Sequence, residues 1–186
     1  MKTNYGVFTA HNELEIKVCL SDILKEQADA CIIAEYPTKI SNSGVCKALQ
    51  QTPAKNAILA YNNEATRQRV PYGSARITPC NGDNYKYLIH ISALGLTHHL
   101  ASVETLYFCI RIALKQADKL GIETIVIPAI NTGKTEMLSY NEAALNTLRA
   151  IFDIKHTLKQ LKQIKIILKN DDAYRIYQEV LDLFYE

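Results

Sequence analysis

Thr124-Ile125-Val126-Ile127 is an unbroken β-branched run. It is long enough for a strand buried on both faces and too short for a helix. The run stops at Pro128, and the chain then passes through Ala129-Ile130 into Asn131-Thr132-Gly133-Lys134. A buried strand feeding a small, polar, glycine-containing loop is where open α/β sheets hold ligands, outside the carboxyl ends of their strands. Backbone N–H groups in such a loop can point at a phosphate with no side chain in the way.

The rest of the chain reads as support for this edge. Leu14, Ile16, Val18 and Leu20 alternate with Glu15, Lys17 and Cys19, the period of a strand with one buried face. Ser21 or Asp22 is placed to cap a short helix through Glu26. Residues 30–34 read as a second buried strand, ended by Glu35-Tyr36-Pro37, and Gly44 opens a helix through Leu49. A weaker helical pattern spans 55–65. The turn signal Asn81-Gly82-Asp83-Asn84 joins strands at 75–78 and 87–91 as a hairpin. Leu100, Val103, Tyr107, Ile110, Leu114 and Ala117 lie three or four apart, predicting one long helix that Gly121 ends. Ser139-Tyr140-Asn141-Glu142 is a capping box for a helix through Phe152, with Leu145, Leu148, Ile151 and Phe152 as its buried face. Residues 164–168 read as a last strand, and 172–185 as a last helix with Tyr177, Val180, Leu181 and Phe184 inward. About six strands interleaved with helices, one antiparallel pair among them, predict a three-layer α/β/α sandwich around a mixed, mostly parallel sheet. With no repeat or linker, residues 1–186 are expected to form one domain, with a polar lead-in over 1–12.

Composition narrows the function classes. An apolar content of 48% supplies a real core, and a net charge of +2 is too mild to imply a nucleic-acid surface. The lysines of 155–169 alternate with apolar residues, as on a solvated face. The five cysteines are scattered, with no CxxC and no Cys/His pair at zinc spacing, which argues for free thiols in a reducing compartment. The pair His98-His99 lacks a partner at metal-ligand spacing, so neither metal nor cofactor is expected. The first fifteen residues carry no apolar run, so a soluble, membrane-free monomer is expected, cytoplasmic or delivered into a host cell by a signal-independent route. Gly133-Lys134-Thr135 matches the end of a P-loop, but the tight first turn of that motif needs a glycine where this chain has Pro128.

Five places, in order along 14–184, together resemble the macro domain family, whose members bind ADP-ribose. Leu20-Ser21-Asp22-Ile23 is similar to the family's "GDI", and Ala28-Asp29-Ala30-Cys31-Ile32-Ile33 to its "VDAIVN". Ser43-Gly44-Val45-Cys46-Lys47-Ala48-Leu49 resembles "GGGVAGAI", and Pro128-Ala129-Ile130-Asn131-Thr132-Gly133 resembles "PAIGTG". Gly73-Ser74-Ala75 followed by Leu88-Ile89-His90 resembles the "GxA…IIH" hairpin.

The resemblance implies roles for particular residues. Asp22 would accept a hydrogen bond from the adenine amino group, with the adenosine lying over Ile23. Gly44 and Val45 would lie on the diphosphate and distal ribose, where a Cβ at 44 would block close approach and a helix N-terminus favours an anion. Asn131, Thr132 and Gly133, with Lys134 beside them, would clamp the other side of the diphosphate. Departures stand next to these matches. Tyr36 replaces the asparagine that orients the distal ribose in many hydrolytic members, Ser41-Asn42-Ser43 replaces a glycine run, and Cys46 stands where some hydrolases carry aspartate. Glu35, just past a strand's carboxyl end, could activate water in their place, and Asn42 could orient the ribose. Otherwise both are ordinary loop residues. Cys46 reads as a nucleophile or as an inert buried thiol, Tyr72 as a stacking ring or a hydrophobic latch, and His90 as a core histidine rather than a base. Three functions follow: removal of mono-ADP-ribosyl groups from modified proteins, non-catalytic reading of ADP-ribosylated proteins, or a macro-like scaffold with an inactive pocket.

Overall fold

The computed structural model describes residues 14–38, 43–68, 70–94, 102–130, 132 and 138–186. The strands are β1 (Glu15–Leu20), β2 (Ala28–Ala34), β3 (Ala75–Pro79), β4 (Tyr85–Ile91), β5 (Thr124–Pro128) and β6 (Gln163–Leu168). They form one six-stranded sheet in the order β1-β6-β5-β2-β4-β3. Every neighbouring pair is parallel except β3 and β4, the expected hairpin. The helices are α1 (Gly44–Leu49), α2 (Lys55–Arg67), α3 (Val103–Lys119), α4 (Tyr140–Ile154) and α5 (Asp171–Leu183).

The period of two along the strands divides these helices into two layers. Ala30 and Ile32 of β2, Ile125 and Ile127 of β5, and Ile164 and Ile166 of β6 pack with α3, α4 and α5. Cys31 and Ile33 of β2, Val126 of β5 and Ile167 of β6 pack on the opposite face with α1 and α2. This is the three-layer α/β/α sandwich that the sequence predicts. The capping box is formed: Glu142 N–H donates to Ser139 Oγ, and the Ser139 N–H donates back to Glu142 Oε2. Gly121 ends α3 at φ +74°, a conformation that favours glycine.

Two local expectations are corrected. Leu145 is 49% exposed, because the packed arc of α4 runs through Ala143, Ala144, Thr147, Leu148, Ile151 and Ile154. The small side chains of Ala143 and Ala144 set that arc against the core and turn Leu145 outward. Nor does a helix follow β1. Leu24 N–H donates to Asp22 Oδ1 at 3.0 Å and Lys25 N–H to the Asp22 carbonyl at 2.8 Å, so the aspartate closes a turn on its own backbone.

Asp29 locks the start of β2 to the start of β5. Its Oδ2 accepts the N–H groups of Glu123 and Thr124 and the Thr124 hydroxyl, at 3.0–3.1 Å, while Lys86 Nζ sits 2.7 Å from Oδ1. Burial pushes this carboxyl up, but Lys86 and the Glu123 and Thr124 donors outweigh it and hold the pKa below the usual value. A depressed carboxylate contributes stability above its unfolded pKa and loses it as pH falls through the folded one. Asp29→Asn is therefore expected to cost about 2 kcal/mol in urea unfolding at pH 7. The gap from wild type should narrow below about pH 4; a gap independent of pH would contradict the assignment.

Candidate functional site

The chain leaves β2 toward α1 and α2 on one face of the sheet, and leaves the adjacent β5 toward α4 on the other. Strands whose connections diverge in this way open a crevice between their carboxyl ends. A cavity of about 360 Å³ lies there, within the range of small-molecule sites. Ala34, Pro128, Ile167 and Leu168, at the ends of β2, β5 and β6, form its base. Ile23, Gly44, Val45 and Ala48 form one wall. Ala129, Ile130, Thr132 and Tyr140 form a second, and Lys169, Asn170 and Ala173 a third.

Three helices begin at this cavity, and their first turns differ in charge. Glu142 already occupies the first turn of α4, and Asp171 and Asp172 sit in that of α5. The first turn of α1 carries no acid, and Ser43 Oγ caps it by accepting the Cys46 N–H at 3.1 Å. Of the three, α1 therefore suits an anion best. A Cβ built on Gly44 meets nothing within 4 Å, so the fold itself does not require glycine there.

Asp22 adjoins the cavity through Ile23. Its Oδ2 lies 2.7 Å from Nζ of cavity-lining Lys169. The Lys169 ammonium first, and then the Leu24 N–H, hold the Asp22 carboxyl below the usual range. The structure thus brings Ile23, Gly44, Val45 and Thr132 into one cavity with Asp22 beside it. Asn42, Asn131, Gly133 and Lys134 lie outside the described residues, as do His98 and His99. Tyr72 is 42% exposed and does not line the cavity. Lys169, Asn170 and Tyr140 escaped the sequence reading. Their signal was present: Lys169 and Asn170 directly follow the carboxyl end of β6, and Tyr140 follows the Ser139 cap.

Glu35 is not an exposed loop residue. It is 0% exposed and is absent from the cavity lining, although Ala34 before it is present. Its N–H donates to the Ile91 carbonyl at 2.9 Å, which carries the sheet one residue past β2. Strand parity then puts Glu35 on the α1/α2 face with Cys31 and Ile33. There its Oε1 lies 3.5 Å from His90 Nδ1 and accepts the Cys46 thiol at 3.8 Å. His90 Nε2 and the Thr78 hydroxyl share a hydrogen bond of 2.7 Å, and the His90 ring stacks on Tyr61 at 4.5 Å. Cys46, also 0% exposed, accepts from Gln50 Nε2 at 3.4 Å. No cluster of three His, Cys, Asp or Glu side chains suited to a metal ion occurs among the described residues. Among the described helices, none is long and apolar enough to cross a membrane.

The family profile described as Macro domain matches residues 38–144, more than half of the chain, and the protein belongs to that family. An uncharacterized protein of Pyrobaculum aerophilum is 28% identical over 90% of this chain and 91% of its own length. The Oceanobacillus iheyensis macrodomain solved with ADP superposes with a TM-score of 0.81, at 24% identity over 95% of each chain. The Trypanosoma brucei macrodomain in complex with ADP-ribose superposes with a TM-score of 0.74, at 19% identity over 90% of this chain and 69% of that one.

Burial makes a structural role for Glu35 measurable. Glu35→Ala leaves His90 and Cys46 facing a void and is expected to cost about 2–4 kcal/mol of unfolding free energy. A cost below about 0.5 kcal/mol, the ordinary surface value, would mean that the carboxylate is not held in this network.

Proposed function

We propose that this macro domain protein binds ADP-ribose, free or attached to a protein, and acts as a reader of that group. The observation that carries the reading is the cavity between the diverging β2 and β5, with a carboxylate at one side and an acid-free helix N-terminus at the other. In this pose the adenine amino group donates to Asp22 and the adenosine lies over Ile23. The diphosphate meets the backbone at Gly44 and Val45, and Thr132 closes on it from the loop after β5. The residues around Thr132, namely Asn131, Gly133 and Lys134, complete the clamp in this proposal. The ADP and ADP-ribose held by the two solved relatives support the same ligand class.

Recognition without turnover is favoured by the lining itself. Among the described cavity-lining residues there is no carboxylate and no histidine to activate water at the anomeric carbon. Hydrolysis of a mono-ADP-ribosyl group is the second reading, kept by the position of Glu35 directly after cavity-lining Ala34. In that reading Glu35 assists water and Asn42 orients the ribose. A release assay on Arg-, Ser- and Glu-linked substrates separates the two. The reader proposal expects no product above the uncatalysed rate; release that disappears in Glu35→Gln would establish the hydrolase.

Binding is tested by calorimetric titration with ADP-ribose and ADP. Micromolar affinity is expected, weakened about tenfold in Asp22→Ala, the loss of one charge-assisted hydrogen bond. Gly44→Val is expected to weaken binding at least about thirtyfold, because the added methyls occupy the close-approach surface. The unfolding midpoint of Gly44→Ala, the change that adds only a Cβ, should stay near wild type, since that Cβ meets no atom within 4 Å beyond its chain neighbours and its own helix backbone. Absence of heat, or binding indifferent to Asp22→Ala and Gly44→Val, would overturn the proposal.

A further inference from the structure

The geometry points to Lys169 as a specificity-determining residue: with Asp22 it forms a paired donor and acceptor that reads the edge of the ligand's base, admitting 6-oxopurines as well as adenine. The inference rests on the ADP-ribose reading above, which places the base beside Ile23 and Asp22.

The pair is placed for this. Lys169 lines the cavity, and its Nζ is 2.7 Å from Asp22 Oδ2. Neither group is used up by the contact. The Asp22 carboxylate accepts from Leu24 N–H on Oδ1 and from Lys169 on Oδ2, while a carboxylate offers about four lone-pair sites. The Lys169 ammonium has three N–H donors, of which this pair uses one. A ligand entering along Ile23 therefore meets an acceptor and a donor side by side.

That combination matches two kinds of purine edge. Adenine presents its amino donor next to the N1 acceptor, so Asp22 takes the amino hydrogen and Lys169 donates to N1. Hypoxanthine and guanine present the reverse, an N1–H donor next to a carbonyl acceptor. Asp22 then takes N1–H and Lys169 donates to the carbonyl oxygen. The exchange needs the ammonium to cross from one side of the carboxylate to the other. A flexible four-carbon stem permits this, and the Lys169 side chain is 62% exposed. Without the ammonium, a 6-oxo group would face the Asp22 carboxylate with no donor between them, and an unpaired polar contact of that kind is heavily penalised.

The test is calorimetric titration of wild type, Lys169→Met and Lys162→Met with ADP and with inosine diphosphate. Methionine keeps an unbranched stem and removes the charge, and an ion pair as exposed as this one contributes little to folding. Lys162 pairs with Glu123 at the opposite ends of the strands and serves as the control. Wild type and Lys162→Met should bind the two nucleotides within about fivefold of each other. Lys169→Met should widen the preference for ADP to at least about tenfold, the scale set by losing one hydrogen bond to a charged group. A wild type that already rejects inosine diphosphate thirtyfold, or a ratio that Lys169→Met leaves unchanged, overturns this role while ADP binding still supports the reading beneath it. If ADP itself fails to bind, that reading falls and this inference falls with it.

Discussion

The divergence of the chain at the carboxyl ends of β2 and β5 is the constraint on which the rest of this structure depends. Both strands are buried on both faces, so each connection must commit to one layer of helices or the other. The chain goes to α1 and α2 after β2, and to α4 after β5. The cavity lies where the two departures diverge, with Ala34 and Pro128 in its lining. Asp29 is the counterpart at the other end of the same strands. By binding the backbone of Glu123 and Thr124 it ties the start of β5 to the start of β2.

Strand parity then decides which side chains reach that gap. Ala34 lines it and Glu35 does not, although they are neighbours. The carboxylate is enclosed with His90, Cys46, Thr78 and Tyr61: it lies 3.5 Å from His90 Nδ1 and accepts the Cys46 thiol at 3.8 Å, while His90 Nε2 is held by Thr78 and the ring by Tyr61. Cys46 belongs to this network through its thiol and to α1 through its backbone. The buried polar cluster is thereby tied to the helix that presents Gly44 and Val45 to the cavity. Among the described residues the cavity lining is largely apolar, with Ser43, Thr132, Tyr140 and Asn170 as its uncharged polar members and the Asp22–Lys169 pair at its edge.

Much of this was legible in the residues. The runs at 30–34, 124–127 and 164–168 gave buried strands because a β-branched or alternating pattern of that length has few other solutions. Ser139 with Glu142, and Gly121, marked helix ends because their chemistry is local. Asp22, Ile23, Gly44, Val45 and Thr132 were recognisable from their order along the chain, and the fold gathers them at one place. Properties set by distant partners were not legible. The burial of Glu35 depends on a ladder bond to Ile91, which extends the sheet beyond the apolar run. Lys169 becomes part of the site only because β6 ends beside the turn after β1, where Ser21 N–H donates to the Leu168 carbonyl at 2.9 Å. Leu145 reads as core by spacing alone, and only the packing of Ala143 and Ala144 shows which arc of α4 faces inward.

The central claim is that the crevice between β2 and β5 is where ADP-ribose sits. Amide chemical shifts followed by NMR during titration with ADP-ribose test it most directly, because they report position as well as affinity. The account predicts concentrated, saturable shifts at Ile23, Gly44, Val45, Thr132 and Asn170. Shifts gathered along α2 and β3, or none at saturating ligand, would contradict it.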